Sequence, residues 1–270
     1  MALVELPAIK VDEEGARAFV LAHGGPLDRA RVAGVFGAVG PDRDVVRSLE
    51  ARQNPDGHFG TDSSPDGPGE GSGSLAATAD MLALLKDLPP LAGSPMASRA
   101  LAFLRRRQRV DGAWAELPEA PAGDPALTAR VAYTLLTMEP ESINPVARGS
   151  AWLRTALSAE SAGGRASALT LARAWGVWYK ILGPRSHEPL WVLDQLRRRE
   201  LDPAELVGWL NCALEMDAGG RLLLPLAKDL ARLAGLQQAD GAWPGGVEPT
   251  LAALRVLRGY GIFQSRSTEG

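Results

Sequence analysis

The chain has 270 residues and a net charge of -3: long enough for one large or two small domains, and too little positive for a phosphate-binding surface, which sets nucleic acid aside as a partner. Its apolar fraction of 46% can supply a sizeable core, yet no apolar run approaches the ~20 residues of a membrane span, so only peripheral membrane contact is compatible with it. The single cysteine, Cys212, excludes an internal disulfide, and Met1 to Glu14 lacks the basic-then-apolar pattern of a secretory signal, so a cytoplasmic location is expected.

Apolar residues recur at spacings of three and four from end to end, and sustained alternation is nearly absent, so the chain reads as all-α. Helices are expected near 12–22, 26–38, 42–53, 74–88, 95–109, 125–138, 145–158, 166–182, 188–200, 203–216, 221–238 and 249–260. Several starts are written as a capping residue followed by proline: Ser94-Pro95, Asp124-Pro125, Asn144-Pro145 and Asp202-Pro203, and more weakly Glu248-Pro249. Glu205 adds the capping-box position after Asp202. Residues 54–74 break the rhythm with a Gly-, Pro- and Ser-rich loop far longer than ordinary helix connections. Asp62-x-Ser64-x-Asp66-Gly67 inside it has a faint likeness to a calcium loop, but Pro65 interrupts it and Gly73 stands where the bidentate glutamate belongs.

Two classes of helix alternate. Ser94 to Arg109, Pro189 to Glu200 and Arg221 to Gln238 carry wide polar faces, whereas Leu75 to Leu85, Leu127 to Met138, Ala168 to Leu182, Leu206 to Leu214 and Leu251 to Leu257 are apolar on most sides. A helix apolar nearly all round must be surrounded. Six inner helices within six outer ones satisfy this, so the expected fold is an (α/α)6 toroid spanning 1–270 as one domain, with 1–11 and 264–270 as tails.

One motif occurs three times: Leu49-x3-Gln53-x2-Asp56-Gly57-x-Phe59, Leu104-x3-Gln108-x2-Asp111-Gly112-x-Trp114 and Leu233-x3-Gln237-x2-Asp240-Gly241-x-Trp243. Leu and Gln share a helical face, Asp-Gly ends the helix, and the aromatic can fold back over the end while the Gln amide reaches loop backbone. The wide gap between Gln108 and Gln237 is expected to hide a degraded copy. These repeats, with the alternating apolar helices, resemble the QW repeats of squalene and oxidosqualene cyclases and the related toroid of protein prenyltransferase β subunits. The resemblance covers roughly residues 26 to 260 and implies an architecture rather than an activity.

The catalytic signatures that the resemblance would imply are missing. Class II cyclases protonate an alkene through Asp-x-Asp-Asp-Thr-Ala; the comparable stretch here, Asp124-Pro125-Ala126-Leu127-Thr128-Ala129, has alanine at the donor position, and Asp124 doubles as a helix cap. Protein prenyltransferases hold zinc with Asp, Cys and His, but Cys212 stands in an apolar helix and none of His23, His58 and His187 falls on the last inner helix, so no metal site is expected. The Asp-Asp-x2-Asp cluster of class I synthases does not occur.

Residues that interrupt the apolar helices are the remaining candidates. Trp175, Trp178, Tyr179 and Trp209 form an aromatic group suited to core packing or to lining an apolar ligand. Arg130, Arg173, Lys180 and Arg255 could meet an anionic head group, with Tyr133 one turn beyond Arg130, or could pair with carboxylates, as Arg130 could with Asp80. Asn211 falls in the same predicted inner helices. Asp80 and Glu215, with Asp124, are the candidate acids.

The function expected is binding of a prenyl diphosphate or terpene-like lipid, extending to prenyl transfer or cyclisation through a non-standard site if the protein is an enzyme; magnesium would accompany a bound diphosphate. The alternatives are a toroid scaffold or binding protein without catalysis, and a carbohydrate-active toroid using Asp80 and Glu215 as its two carboxylates. Oligomeric state is left open by the sequence.

Overall fold

The computed structural model describes residues 10–37, 40–60, 74–117, 119–161, 166–217 and 222–262. Among these there are thirteen helices and no strand: α1 (Glu13–His23), α2 (Pro26–Val35), α3 (Arg43–Ala51), α4 (Leu75–Leu85), α5 (Pro89–Ala92), α6 (Pro95–Arg106), α7 (Pro125–Met138), α8 (Ile143–Ser161), α9 (Ala168–Ile181), α10 (His187–Arg197), α11 (Pro203–Met216), α12 (Leu223–Gly235) and α13 (Val247–Gly259). No described helix is long and apolar enough to cross a membrane. The bulk of the expected long loop, with its calcium-like stretch, lies outside the described residues, as do the first nine and last eight residues of the chain.

Helix starts follow local chemistry. The Ser94 hydroxyl accepts from Ala97 N, the Asp124 carboxylate from Ala126 N and Leu127 N, and Asp202 and Glu205 form a reciprocal capping box. Two of the proline-marked starts differ from the sequence expectation. Around Asn144, the turn formed by Ser142 N on Glu139 O and Ile143 N on Glu141 O lets α8 begin at Ile143, so Asn144 stands inside the first turn. Pro145 is tolerated there because first-turn amides have no partner within the helix. Before α13, Gly246 at φ 90° is the cap, and Glu248 is a first-turn residue whose carboxylate pairs with Arg31.

The chain divides into two compact units, one from Met1–Gly37 with Glu200–Gly270 and the other from Ala38–Arg199. In the continuous unit, α7 is the hub: it packs on α4, α6, α8 and α9, while α9 packs on α8 and α10. Its buried face runs through Leu127, Ala129, Val131, Ala132 and Leu135, and α9 adds Leu171, Ala174, Trp175 and Trp178. Burying such side chains stabilises by about 1.5–3 kcal/mol each for the larger ones before ordering costs.

In the discontinuous unit, α13 is the hub, packed on α1, α2, α11 and α12. The near-fully buried guanidinium of Arg31 on α2 is held bidentately by Glu248, and Arg258 on α13 donates to Glu13 of α1 at 2.7 Å while lying 4.6 Å over the Phe36 ring. Chain segments more than 200 residues apart are thereby held together.

Candidate functional site

The three motif copies build one joint. Each glutamine Nε2 donates twice: to the carbonyl of its own motif glycine, and to a carbonyl at the start of another helix. Gln53 reaches Gly57 O and Met96 O, both at 2.9 Å; Gln108 reaches Gly112 O and Pro145 O, both at 2.8 Å; Gln237 reaches Gly241 O at 3.0 Å and Asp12 O at 2.8 Å. The motif thus ties α3 to α6, α6 to α8, and α12 to α1. The motif aspartates accept from the backbone two residues on, at His58, Ala113 and Ala242.

The aromatic closes the joint. Trp114 Nε1 donates to Leu104 O and Trp243 Nε1 to Leu233 O, each the leucine that opens its own motif. The backbone amides of Phe59, Trp114 and Trp243 donate to the hydroxyls of Thr78, Thr128 and Thr250, three wholly buried threonines in the first turns of α4, α7 and α13. The buried backbone amides of all three aromatics and both indole N–H groups therefore have partners. These threonines escape the sequence reading because they stand 19, 14 and 7 residues after their aromatics.

In the first copy the Asp56 carboxyl is held below its ordinary value. Burial pushes it up, but hydrogen bonds from the His58 ring and amide, with the charges of His58 and Arg106, more than offset this. Where the motif is lacking, arginines bridge instead: Arg199 donates to Ala166 O and Arg232 to Leu201 O, each at 2.6 Å. Residues 162–165, where a degraded copy after α8 would fall, lie outside the described residues.

Beside these joints stands a polar strip on α4 and α7. Arg130 Nη1 meets Asp80 Oδ2 at 3.2 Å, while its Nε is buried with no hydrogen-bond partner among the described residues. One turn along, Tyr133 is buried beneath the Lys86 ammonium, 5.4 Å from the ring centre, and Lys86 Nζ donates to Thr137 Oγ1 at 3.1 Å. Lys86 and Thr137 are the members that sequence reasoning misses. Thr137 lies four residues after Tyr133 and seven after Arg130, so the helical period could have found it; Lys86, just past the end of α4, gives no such signal.

The other candidates separate. On α9, Trp175 is wholly buried with its ring 4.8 Å from that of half-buried Tyr179; Arg173 is half-buried and Lys180 exposed. Trp178 turns elsewhere, donating from Nε1 to Ser150 O of α8 and meeting Trp191 of α10 at 6.5 Å. Asp124 is an exposed cap at the start of α7. In the discontinuous unit, Arg255 bonds Glu215 at 2.6 Å, and Trp209 and Cys212 are buried in α11. Among the described residues no group of three or more His, Cys, Asp or Glu is placed to hold a metal ion.

Compared with known proteins, the chain matches no protein-family model and no curated protein.

Proposed function

We propose that the protein binds an isoprenoid or a similar apolar lipid bearing an anionic head, on an (α/α)6 toroid of the prenyltransferase and terpene cyclase kind. The observation that carries this reading is the strip on α7, where a guanidinium with an unengaged buried Nε, a tyrosine and a nearby ammonium interrupt a helix otherwise buried in apolar contacts. An arginine donor without an acceptor in such a place suits a diphosphate or carboxylate oxygen. The threefold glutamine joint supports the toroid, since one repeated link between successive outer helices is what a ring of hairpins needs. An isoprenoid tail would gain about 0.8 kcal/mol per buried methylene, before ordering costs, against the aromatic and aliphatic faces of such a fold.

Thermal denaturation with farnesyl and geranylgeranyl diphosphates, and with farnesol as the headless control, tests the reading. A ligand specific for the native state at a hundred times its dissociation constant stabilises by about 2.7 kcal/mol. The diphosphates should raise the melting temperature, farnesol less, and Arg130→Ala should remove the difference. No shift with any of the three ends the proposal.

A second reading, a toroid that binds without catalysing, is favoured by one observation: both candidate carboxylates, Asp80 and Glu215, are bridged to arginines of neighbouring helices. Release of inorganic diphosphate on prolonged incubation with farnesyl diphosphate would instead mark an enzyme, with magnesium added because diphosphate chemistry commonly uses it.

A further inference from the structure

A concave site stands on α8, α9 and α10, and neither the motif joints nor the α4–α7 strip uses it. It is a cleft of about 320 Å³. Nearly fully buried Leu157 and Trp178 back it, half-exposed Trp191 forms a wall, and Arg154, Glu188 and His187 supply polar groups. The two indoles meet edge to face, with an interplanar angle of 60°. The Trp178 N–H is already spent on Ser150 O, so that ring offers only carbon to an occupant.

The charges narrow the ligand class. Arg154 and Glu188 face each other at 3.5 Å, so neither sign prevails in the cleft. An anion drawn to Arg154 would meet the Glu188 carboxylate, and an organic cation drawn to the indoles would meet the guanidinium. An isoprenoid would find apolar surface on one side of the cleft only, the other being the Arg154–Glu188 ion pair and His187. What fits is a neutral molecule with one apolar face to lie on Trp191 and an edge of hydroxyls that can accept from Arg154 and donate to Glu188. The volume is at the small end of ordinary ligand pockets. We propose that this cleft binds a neutral pyranose, as a mono- or disaccharide.

The test uses the full chain labelled with 5-fluorotryptophan, whose seven indoles give separable fluorine resonances, with the Trp191 signal assigned by its loss in Trp191→Phe. Glucose, galactose, N-acetylglucosamine, maltose and cellobiose are titrated, with choline and inorganic phosphate as charged probes. The expected result is saturable movement of the Trp191 and Trp178 signals by at least one saccharide with a dissociation constant of about 1 mM. Glu188→Gln should weaken that response about tenfold. Arg130→Ala should leave it intact, which separates this site from the lipid reading. The proposal is overturned if no saccharide moves these two signals, or if choline or phosphate moves them more than any sugar does. If Trp191→Phe loses its native circular dichroism, the wild-type titration and Glu188→Gln decide the matter.

Discussion

Asp12 and Gln237 are 225 residues apart and exchange a reciprocal pair of hydrogen bonds: Asp12 N donates to Gln237 Oε1 and Gln237 Nε2 donates to Asp12 O, both at 2.8 Å. A side-chain amide here pairs with a peptide group as a neighbouring strand would. Because Nε2 also bonds Gly241 O, the one side chain satisfies three backbone groups. Gln237→Ala should therefore cost about 2–4 kcal/mol, at roughly 1 kcal/mol per bond and more for any group left dry. Urea denaturation measures this, and a loss below about 0.5 kcal/mol would show that water replaces the amide without penalty.

A motif glycine and one outside the motif separate two causes of strain. Gly112 has φ 95°, and a Cβ there would stand 2.7 Å from Arg148 O; Gly183 has φ 95° with nothing within 4 Å. Gly183→Ala should cost about 1 kcal/mol from backbone conformation alone. Gly112→Ala adds the clash with a backbone carbonyl and should cost at least about 2 kcal/mol more. Equal melting temperatures for the two variants would refute the account of close approach between the loop and α8.

Glu116 caps α4 from a distant loop, its carboxylate accepting from Leu75 N and Ala76 N at 2.8 Å each and from Ser74 Oγ at 3.2 Å. A carboxylate at a helix N-terminus gains from both the unpaired amides and the helix dipole. Glu116→Ala should destabilise by about 1–2 kcal/mol, and Glu116→Gln by less, because the amide oxygen still accepts. Hydrogen exchange at Leu75 and Ala76 should rise selectively in the alanine variant; unchanged protection there would contradict the cap.

Asp56 gives stability a defined dependence on pH. Its folded value is held below the ordinary 3.8, so in acid the unfolded chain binds more protons at this group than the native one does. The contribution is fully present above the ordinary carboxylate value and is lost as pH falls through the lowered folded value. Asp56→Asn should remove this component, flattening the difference in stability between neutral pH and strong acid. Denaturation curves with the same acid limb in both proteins would disprove it.

Most of the helical pattern is legible in the sequence because its punctuation acts locally. Serine or aspartate before proline at 94, 124 and 202 needs only its own first turn, and all three cap as written. Asn144 and Glu248 carry similar signatures, but a preceding turn in one case and a positive-φ glycine, Gly246, in the other mark where the helix begins. The four-residue α5 is too short to show a period. The pairing of Asp80 with Arg130 is legible because a charge on a surrounded helix needs a partner. The cleft of Trp178 and Trp191 is not: its two indoles come from helices of opposite class, and only tertiary packing shows that Trp178 faces α8 and α10.

Because α1 and α2 find their packing partner in α13, and Gln237 after α12 ties down the start of α1, the discontinuous unit has an order of events imposed by translation. Residues 38–199 hold all the segments of their own unit once they have left the ribosome, whereas the first two helices must wait with their apolar faces uncovered until the last third of the chain is made. Ribosome-stalled chains long enough for residue 199 to have cleared the exit tunnel, but ending before α13, should then show protease-resistant α4 to α9 and a digestible α1, and the interval before α13 emerges is when a nascent chain of this design most needs a chaperone.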